Sequence, residues 1–410
     1  MHVVVCAYGT MGNVLPFIGW GRALKARGHR VTLVGNKELI RFSSREGFEL
    51  LTIKEPPLVQ RSLSQIRTSG VRQRLGYLRS AYEMVLRGYC EALVTIIPQQ
   101  DLVVAAPFWI AGARIACEIH QVPLATVYLQ PAMLPSDPQD MTRGRWQRAL
   151  HRFRRKALYA IANPVMASKL NLYRSELGLP AVAKPLQWWN SSDAILAFFP
   201  EWFSPRHGET PAQLEYVGFP LFDTWDSDWR SEELDLFLAS GEPPLVFSQS
   251  TNAREDRNFI SVSIEAAARL HRRAVILTTL PEQLPDPLPD HVRYFGFVPL
   301  SAVLPRAAAF IHHGGMGSLS QAIAARVPQL TMPQILDQPN NCHWLGQLGV
   351  SRQISVREYR VDRVTEELRF LLISEKVRQR CSELAELLPI DDPYGAACDS
   401  MERLAARRGP

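Results

Sequence analysis

The densest chemistry in this chain of 410 residues lies in one run, IHHGGMGSLSQAIAARVPQLTMPQILDQPNN, from Ile311 to Asn341. Its apolar start reads as a strand. Gly314, Gly315 and Gly317, with Met316 among them, read as a turn in which the backbone can approach a ligand closely, and a helix follows from near Ser318. Such a helix aims its unpaired N–H groups and the positive end of its dipole at whatever the turn holds, so an anion is the expected occupant. His313 adds a donor and Ser318 a hydroxyl, a set that suits a diphosphate and stabilises a departing anion without a metal. From the glycines alone, a plain tight turn between strand and helix is an equal reading. His312 ends an apolar strand and reads as a core histidine satisfied by its neighbours.

Other chemistry-bearing groups are sparser. Asp226-Ser227-Asp228 has a spacing able to hold a divalent cation, but it sits among Trp and charged residues far from the glycine turn. It reads as a solvated linker, and no metal is expected. Six cysteines, Cys6, Cys90, Cys117, Cys342, Cys381 and Cys398, are scattered without a C-x-x-C pair, which fits reduced thiols in a cytoplasmic protein. Arg143 to Lys156 interleaves cations with Trp146, Leu150 and Phe153 at helical spacing. This is either a helix packed on its domain with a solvated basic face or an interfacial helix in peripheral membrane contact; the packed helix is favoured, and no nucleic-acid motif accompanies it.

The elements that position these groups alternate. Val3 to Ala7 is a continuous apolar run, as in a strand buried on both faces of a parallel sheet, and Gly9 to Asn13 breaks it. A helix is expected from Pro16 with Gly28 closing it, then a strand from Arg30 to Val34. The runs at Leu102 and Leu124 flank a further helix from Ile110 to His120. After an acidic, aromatic and Pro/Gly-rich stretch from Gly218, short apolar strands recur near Leu245, Ala274, Val292, Ala309 and Gln329. These patterns place an N-terminal domain at 1–218, a linker at 219–243, a second doubly wound domain at 244–390 and a C-terminal helix at 391–410 returning to the first domain, with ligand bound in the cleft between halves. Composition, at 46% hydrophobic and 21% charged, excludes disorder, collagen and coiled coil. The net charge of +6 identifies no partner. The N-terminus reads as a strand rather than a signal segment, and no run reaches the roughly 18 apolar residues of a spanning helix.

The run from Ile311 to Asn341 resembles the donor-binding signature of family 1 glycosyltransferases. The start GTMGNVLPFIGWGRALKARGH, the block NSSDAILAFFP from Asn190 and VGFPLFD from Val217 extend the resemblance to the bacterial branch, most of all to the rhamnosyltransferases of rhamnolipid synthesis. The resemblance implies a GT-B fold of two Rossmann-like domains, inverting displacement at an anomeric carbon, a UDP- or TDP-linked sugar as donor without further cofactor, and a small or lipid-like hydroxyl acceptor held by the N-terminal domain. It assigns Asp337 and Gln338 to the sugar hydroxyls, His313, Gly315, Met316, Gly317 and Ser318 to the diphosphate, Phe297 to stacking on the base and the Val298 backbone to its edge. The loop containing Ser250 and Thr251 resembles another that reaches the phosphates, although its usual glycine is missing. Gln321 stands where many relatives carry a Glu for the ribose.

One departure concerns catalysis. Relatives place His or Asp in the first glycine-rich loop as general base, and here that position is Asn13, whose amide has no proton affinity near pH 7. Ala105, Ala106 and Pro107 occupy the region of the carboxylate that orients the base in plant relatives. His120 is a weak substitute that reads better as a helix-end residue. Three functions therefore stand: a glycosyltransferase, favoured; a catalytically silent sugar-nucleotide binder acting as an accessory protein; and a sugar-nucleotide epimerase.

Overall fold

The structure, a computed structural model, describes residues 1–43, 46–53, 71–96, 102–107, 109–134, 164, 166–190, 193–206, 210–223, 229–248, 257–335, 337–388 and 392–407. It divides into two compact units, one of Met1–Pro220 with Asp392–Pro410 and one of Leu221–Asp391.

The first unit is a seven-stranded parallel sheet. Its strands are β1 (His2–Ala7), β2 (Arg30–Gly35), β3 (Glu49–Thr52), β4 (Leu102–Pro107), β5 (Leu124–Tyr128), β6 (Ala194–Ala197) and β7 (Leu214–Tyr216), in the order β3-β2-β1-β4-β5-β6-β7. Val5 pairs with Leu33 on one side and Ala105 on the other. Every residue of β1 is buried, which is why its sequence is a continuous apolar run rather than an alternation. Helices α1 (Met11–Ala26), α2 (Lys37–Ser43), α3 (Val71–Val94) and α4 (Ala111–His120), with α5 at residues 166–176, connect the strands.

Helix α1 begins at Met11, five residues before the expected start at Pro16, so Gly12 and Asn13 belong to its first turn. A proline at the sixth position removes one backbone bond, to the Gly12 carbonyl, and sixteen residues tolerate it because Val14, Phe17, Ile18, Trp20 and Leu24 bury a full face. Phe198 meets this face, its ring 5.4 Å from that of Trp20.

Helix α12 (Pro393–Ala406) belongs to this unit. Asp392 caps it by accepting the Gly395 N–H at 2.9 Å, and Cys398, Met401 and Leu404 are buried. Arg27 pairs with Asp399 and Glu402 at 2.5 and 3.2 Å, and His29 reaches Glu402 at 2.9 Å.

The second unit is a six-stranded parallel sheet of β8 (Leu245–Ser248), β9 (Ala274–Leu277), β10 (Val292–Phe295), β11 (Ala309–His312), β12 (Gln329–Thr331) and β13 (Ser351–Gln353), in the order β10-β9-β8-β11-β12-β13. The stretch expected as a linker contains helix α6 (Glu232–Ala239), capped where Ser231 Oγ accepts the Leu234 N–H at 3.2 Å. Leu234, Phe237 and Leu238 pack with Val246, Val275, Val298 and Phe310, so this helix is part of the second unit's core, and the unit begins at Leu221. The apolar spacing inside an otherwise acidic, Pro/Gly-rich segment is what draws it in. Helices α7 (Arg257–Arg269), α8 (Met316–Ala324), α9 (Gln338–Gln347), α10 (Val361–Ile373) and α11 (Glu375–Leu387) complete the unit. All six cysteines are free and buried.

Candidate functional site

In a parallel sheet wound in both directions, the loops at the carboxyl ends of the strands open at the point where strand order reverses. In the second unit that point lies between β8 and β11. Ser250 and Thr251 follow β8 in sequence and fall outside the described residues; His313-Gly314-Gly315 leaves β11 there. The segments after β10 and β12, carrying Phe297 and Val298 and then Asp337 and Gln338, emerge at the same edge. Parallel strands thus send to one edge residues that lie up to 41 positions apart in the chain, Phe297 and Gln338.

Gly314 sits at φ +87°, a left-handed conformation, and a Cβ there would collide with Cys342 Sγ. Both of its backbone groups are taken by buried side chains. Its N–H donates to His312 Nδ1 at 3.1 Å, and its carbonyl accepts from Asn341 Nδ2 at 3.0 Å. His312 donates in turn from Nε2 to Gln329 Oε1 at 2.9 Å. Burial pushes this imidazole down to about 3, so it is neutral. His312 is therefore the satisfied core histidine expected, and its work is to shape the turn.

Helix α8 starts immediately after the turn, with Gly315 at its N-cap and no side-chain cap among the described residues. The first-turn N–H groups are left for a ligand or water. A Cβ on Gly315 would come within 2.7 Å of His313 Nε2, so the ring lies over this glycine. His313 Nδ1 is buried and has no partner among the described residues. Burial lowers this imidazole to about 4, making it a neutral group able to donate one N–H. At Gly317 a Cβ would meet nothing within 4 Å. Neither strain nor packing among the described residues asks for glycine there.

The Asp337-Gln338 pair is built differently from the glycine turn. Asp337 is the N-cap residue of α9, yet its carboxylate does not cap that helix; it accepts from Asn341 Nδ2 at 2.6 Å. Burial raises its pKa, and its own backbone N–H and the Asn341 amide pull it partly back. Gln338 is buried, and its Oε1 accepts from Gln334 N at 2.8 Å and Ile335 N at 3.2 Å, pinning the preceding loop. Only its amide nitrogen end is left for a ligand. Gln321 is likewise engaged, its Nε2 donating to the Leu221 carbonyl at 3.0 Å. Phe297 is half-buried, while the Val298 side chain is in the core and leaves only its backbone for recognition.

In the first unit, order reverses between β1 and β4, and Gly9 to Asn13 leaves β1 there. Gly9 has φ +131°, and a Cβ on it would lie 2.6 Å from Asn13 Nδ2, so the Asn13 amide packs on Gly9. Ala105, Ala106 and Pro107 close the neighbouring strand and bring no carboxylate. His120 ends α4, one helix length of ten residues from the switch-point edge and at the start of the chain's return to β5. It cannot serve Asn13's position, because a βαβ connection carries a helix C-terminus to the opposite edge of the sheet. Asp226 to Asp228 and Arg143 to Lys156 lie outside the described residues. Among the described residues no group of three or more His, Cys, Asp or Glu is placed to hold a metal, and no helix is long and apolar enough to cross a membrane.

Asn341 and Gln329 were not singled out by sequence reasoning. For Asn341 a signal existed: it follows Asp337 by four residues at a helix start, so both share one face. Gln329 gave none, since its strand reads as apolar core.

Residues 263–393 match the family described as erythromycin biosynthesis protein CIII-like, C-terminal domain. The chain is 25% identical over 433 residues to O-mycaminosyltylonolide 6-deoxyallosyltransferase of Streptomyces fradiae, covering 100% of this chain and 98% of the relative. It is 26% identical over 383 residues to glycosyltransferase GtfE of Amycolatopsis orientalis, covering 85% of each. Among solved structures, the calicheamicin glycosyltransferase CalG4 superposes with a TM-score of 0.76 at 18% identity, over 100% of this chain and 99% of that one. The glycosyltransferase VinC, solved in complex with dTDP, gives 0.72 at 18% identity, over 99% and 100%. The fold is that of the GT-B glycosyltransferases.

Proposed function

We propose, for a chain that has the GT-B fold and glycosyltransferases among its full-length relatives, that it moves a sugar from a nucleoside diphosphate sugar to a hydroxyl of a small acceptor. One observation carries this: a buried His313 nitrogen with no partner among the described residues, beside an α8 N-terminus that none of them caps, at the switch point of the second sheet. A neutral donor, a row of free backbone N–H groups and an open Gly317 together suit a diphosphate, whose charge grows as it departs. VinC, with its bound dTDP, makes thymidine diphosphate one nucleotide to test beside UDP. The resemblance to rhamnosyltransferases makes TDP-rhamnose the first sugar nucleotide to test.

In this reading the acceptor oxygen attacks the anomeric carbon with inversion, the bond from that carbon to the diphosphate oxygen breaks, and the electron pair leaves on the nucleoside diphosphate. The acceptor proton passes to water, because Asn13 cannot take it. Asn13 orients the acceptor, which the first unit holds. The acceptor is a small or lipid-like alcohol or phenol, and no resident cofactor or metal takes part.

Melting of the full chain with UDP, TDP, UDP-glucose and TDP-rhamnose tests the donor site. A ligand at a hundred times its Kd stabilises by about 2.7 kcal/mol. No shift with any of the four would end this reading. Asn13 favours one second reading, an accessory protein that binds the donor without turning it over; nucleoside diphosphate release with an acceptor panel separates the two.

A further inference from the structure

We propose that Asn341 is a positioning residue of this site: one buried amide that fixes the Asp337 carboxylate and the Gly314 carbonyl relative to each other, and so couples the sugar end of the donor to its diphosphate end. The inference rests on the donor-site reading above.

The geometry is specific. Asn341 Nδ2 lies 2.6 Å from Asp337 Oδ2 and 3.0 Å from Gly314 O, and its side chain is fully buried. An amide nitrogen has two hydrogens, and here each has its own acceptor. The other end of the side chain is not provided for: Asn341 Oδ1 is buried with no partner among the described residues. Leaving a buried acceptor unmade costs about 1–3 kcal/mol, so Asn341 is not placed here as the cheapest filler of its space. The two bonds it makes join segments 23 residues apart, the turn after β11 and the start of α9.

Asp337 gives the second argument. An acid at an N-cap ordinarily turns its oxygen onto the N–H groups of the first turn. Asp337 does not; its backbone is already helical at φ −78° and ψ −19°, and no side-chain cap forms. Its carboxylate is instead held from behind by Asn341, one turn along. Burial alone would push Asp337 toward its neutral form, and the Asn341 amide opposes that.

Calorimetry on the full chain tests the coupling, with UDP, TDP, UDP-glucose and TDP-rhamnose as probes. The reading is the sugar increment, the ratio of affinities for a sugar nucleotide and its bare nucleotide. Asp337→Ala is expected to cut the increment about tenfold or more and to spare the bare nucleotide. Asn341→Ala is expected to cut both, and the double variant to lose no more of the increment than Asp337→Ala alone. An intact increment in folded Asn341→Ala, or losses that add in the double variant, overturns the proposal while the donor site stands. Wild-type protein that binds none of the four probes overturns the donor-site reading and this one with it. Should Asn341→Ala fail to fold, Asn341→Asp keeps the shape. Two facing acids can share one proton, so its increment is expected to be low at pH 7.5 and to recover toward about pH 5. A flat profile overturns the proposal.

Discussion

His312 Nδ1 accepts the N–H of Gly314, at 3.1 Å, and this bond makes the protonation state of a buried ring a condition for the shape of the ligand turn. With Nε2 donating to Gln329, a second proton on the ring would sit where the Gly314 N–H now points. Proton and turn exclude each other.

The first prediction is therefore one of acid lability. The folded imidazole titrates at about 3, below its ordinary 6.5. Between those values the unfolded chain binds the proton and the folded chain does not. The stability from keeping His312 neutral is thus fully present above pH 6.5 and is lost as pH falls toward 3. Its ceiling is roughly 5 kcal/mol at 1.36 kcal/mol per unit. His312→Asn, which keeps an acceptor for Gly314, is expected to flatten the fall in melting temperature across that window; an unchanged slope would count against this account.

At His313 the expectation concerns binding rather than folding. His313→Ala should weaken UDP or TDP binding by about 1.5–3 kcal/mol, the range for a hydrogen bond to a charged group. Because the free imidazole sits at about 4 and a nearby diphosphate favours its charged form, wild-type affinity should rise as pH drops below neutrality. Titration calorimetry of folded variant and wild type from pH 5 to 8 checks both, and equal affinities would remove His313 from the site.

Gly314 in the turn and Gly317 at the start of α8 should respond in opposite ways. Gly317→Ala places a methyl in open space within a helix, so the fold should gain roughly 0.5–1 kcal/mol while diphosphate affinity falls. Gly314→Ala meets Cys342 Sγ at a positive φ and should destabilise the protein itself. Melting curves with and without TDP distinguish them; full affinity in Gly317→Ala would return that position to a plain helix residue.

Asn13 separates transferase from silent binder. Asp at this position stands in the first turn of α1, where the dipole favours it, so Asn13→Asp should fold at least as well. A positioned base contributes about 10²–10⁴-fold, and turnover of an unactivated alcohol should rise accordingly. A fall would mean an acceptor acidic enough to be repelled by the new charge. No nucleoside diphosphate release from either protein, folded and donor-bound, would assign the accessory role.

What was readable in the one-dimensional chain is what local patterns encode. Uninterrupted apolar runs such as Val3 to Ala7 mark strands covered on both faces, and HHGGMGS marks a glycine turn between a strand and a helix, because backbone permissiveness and helix polarity are local properties. Even the helix start at Met11 was misjudged only where Pro16 pulled the boundary inward. The absorption of the helix at Glu232–Ala239 into the second unit was not readable, since Leu234, Phe237 and Leu238 acquire their role from strands far along the chain. Nor were the partners of Gly314, His312 and Asn341. Asp337 and Gly314 lie 23 residues apart, and whether one amide reaches both depends on where parallel pairing sets β11 beside β12. Residue types along the chain determined a glycine turn running from a strand into a helix N-terminus; the sheet's strand order and register decided which buried side chains hold that turn, because hydrogen bonds of fixed length form only where distant segments have already been brought together.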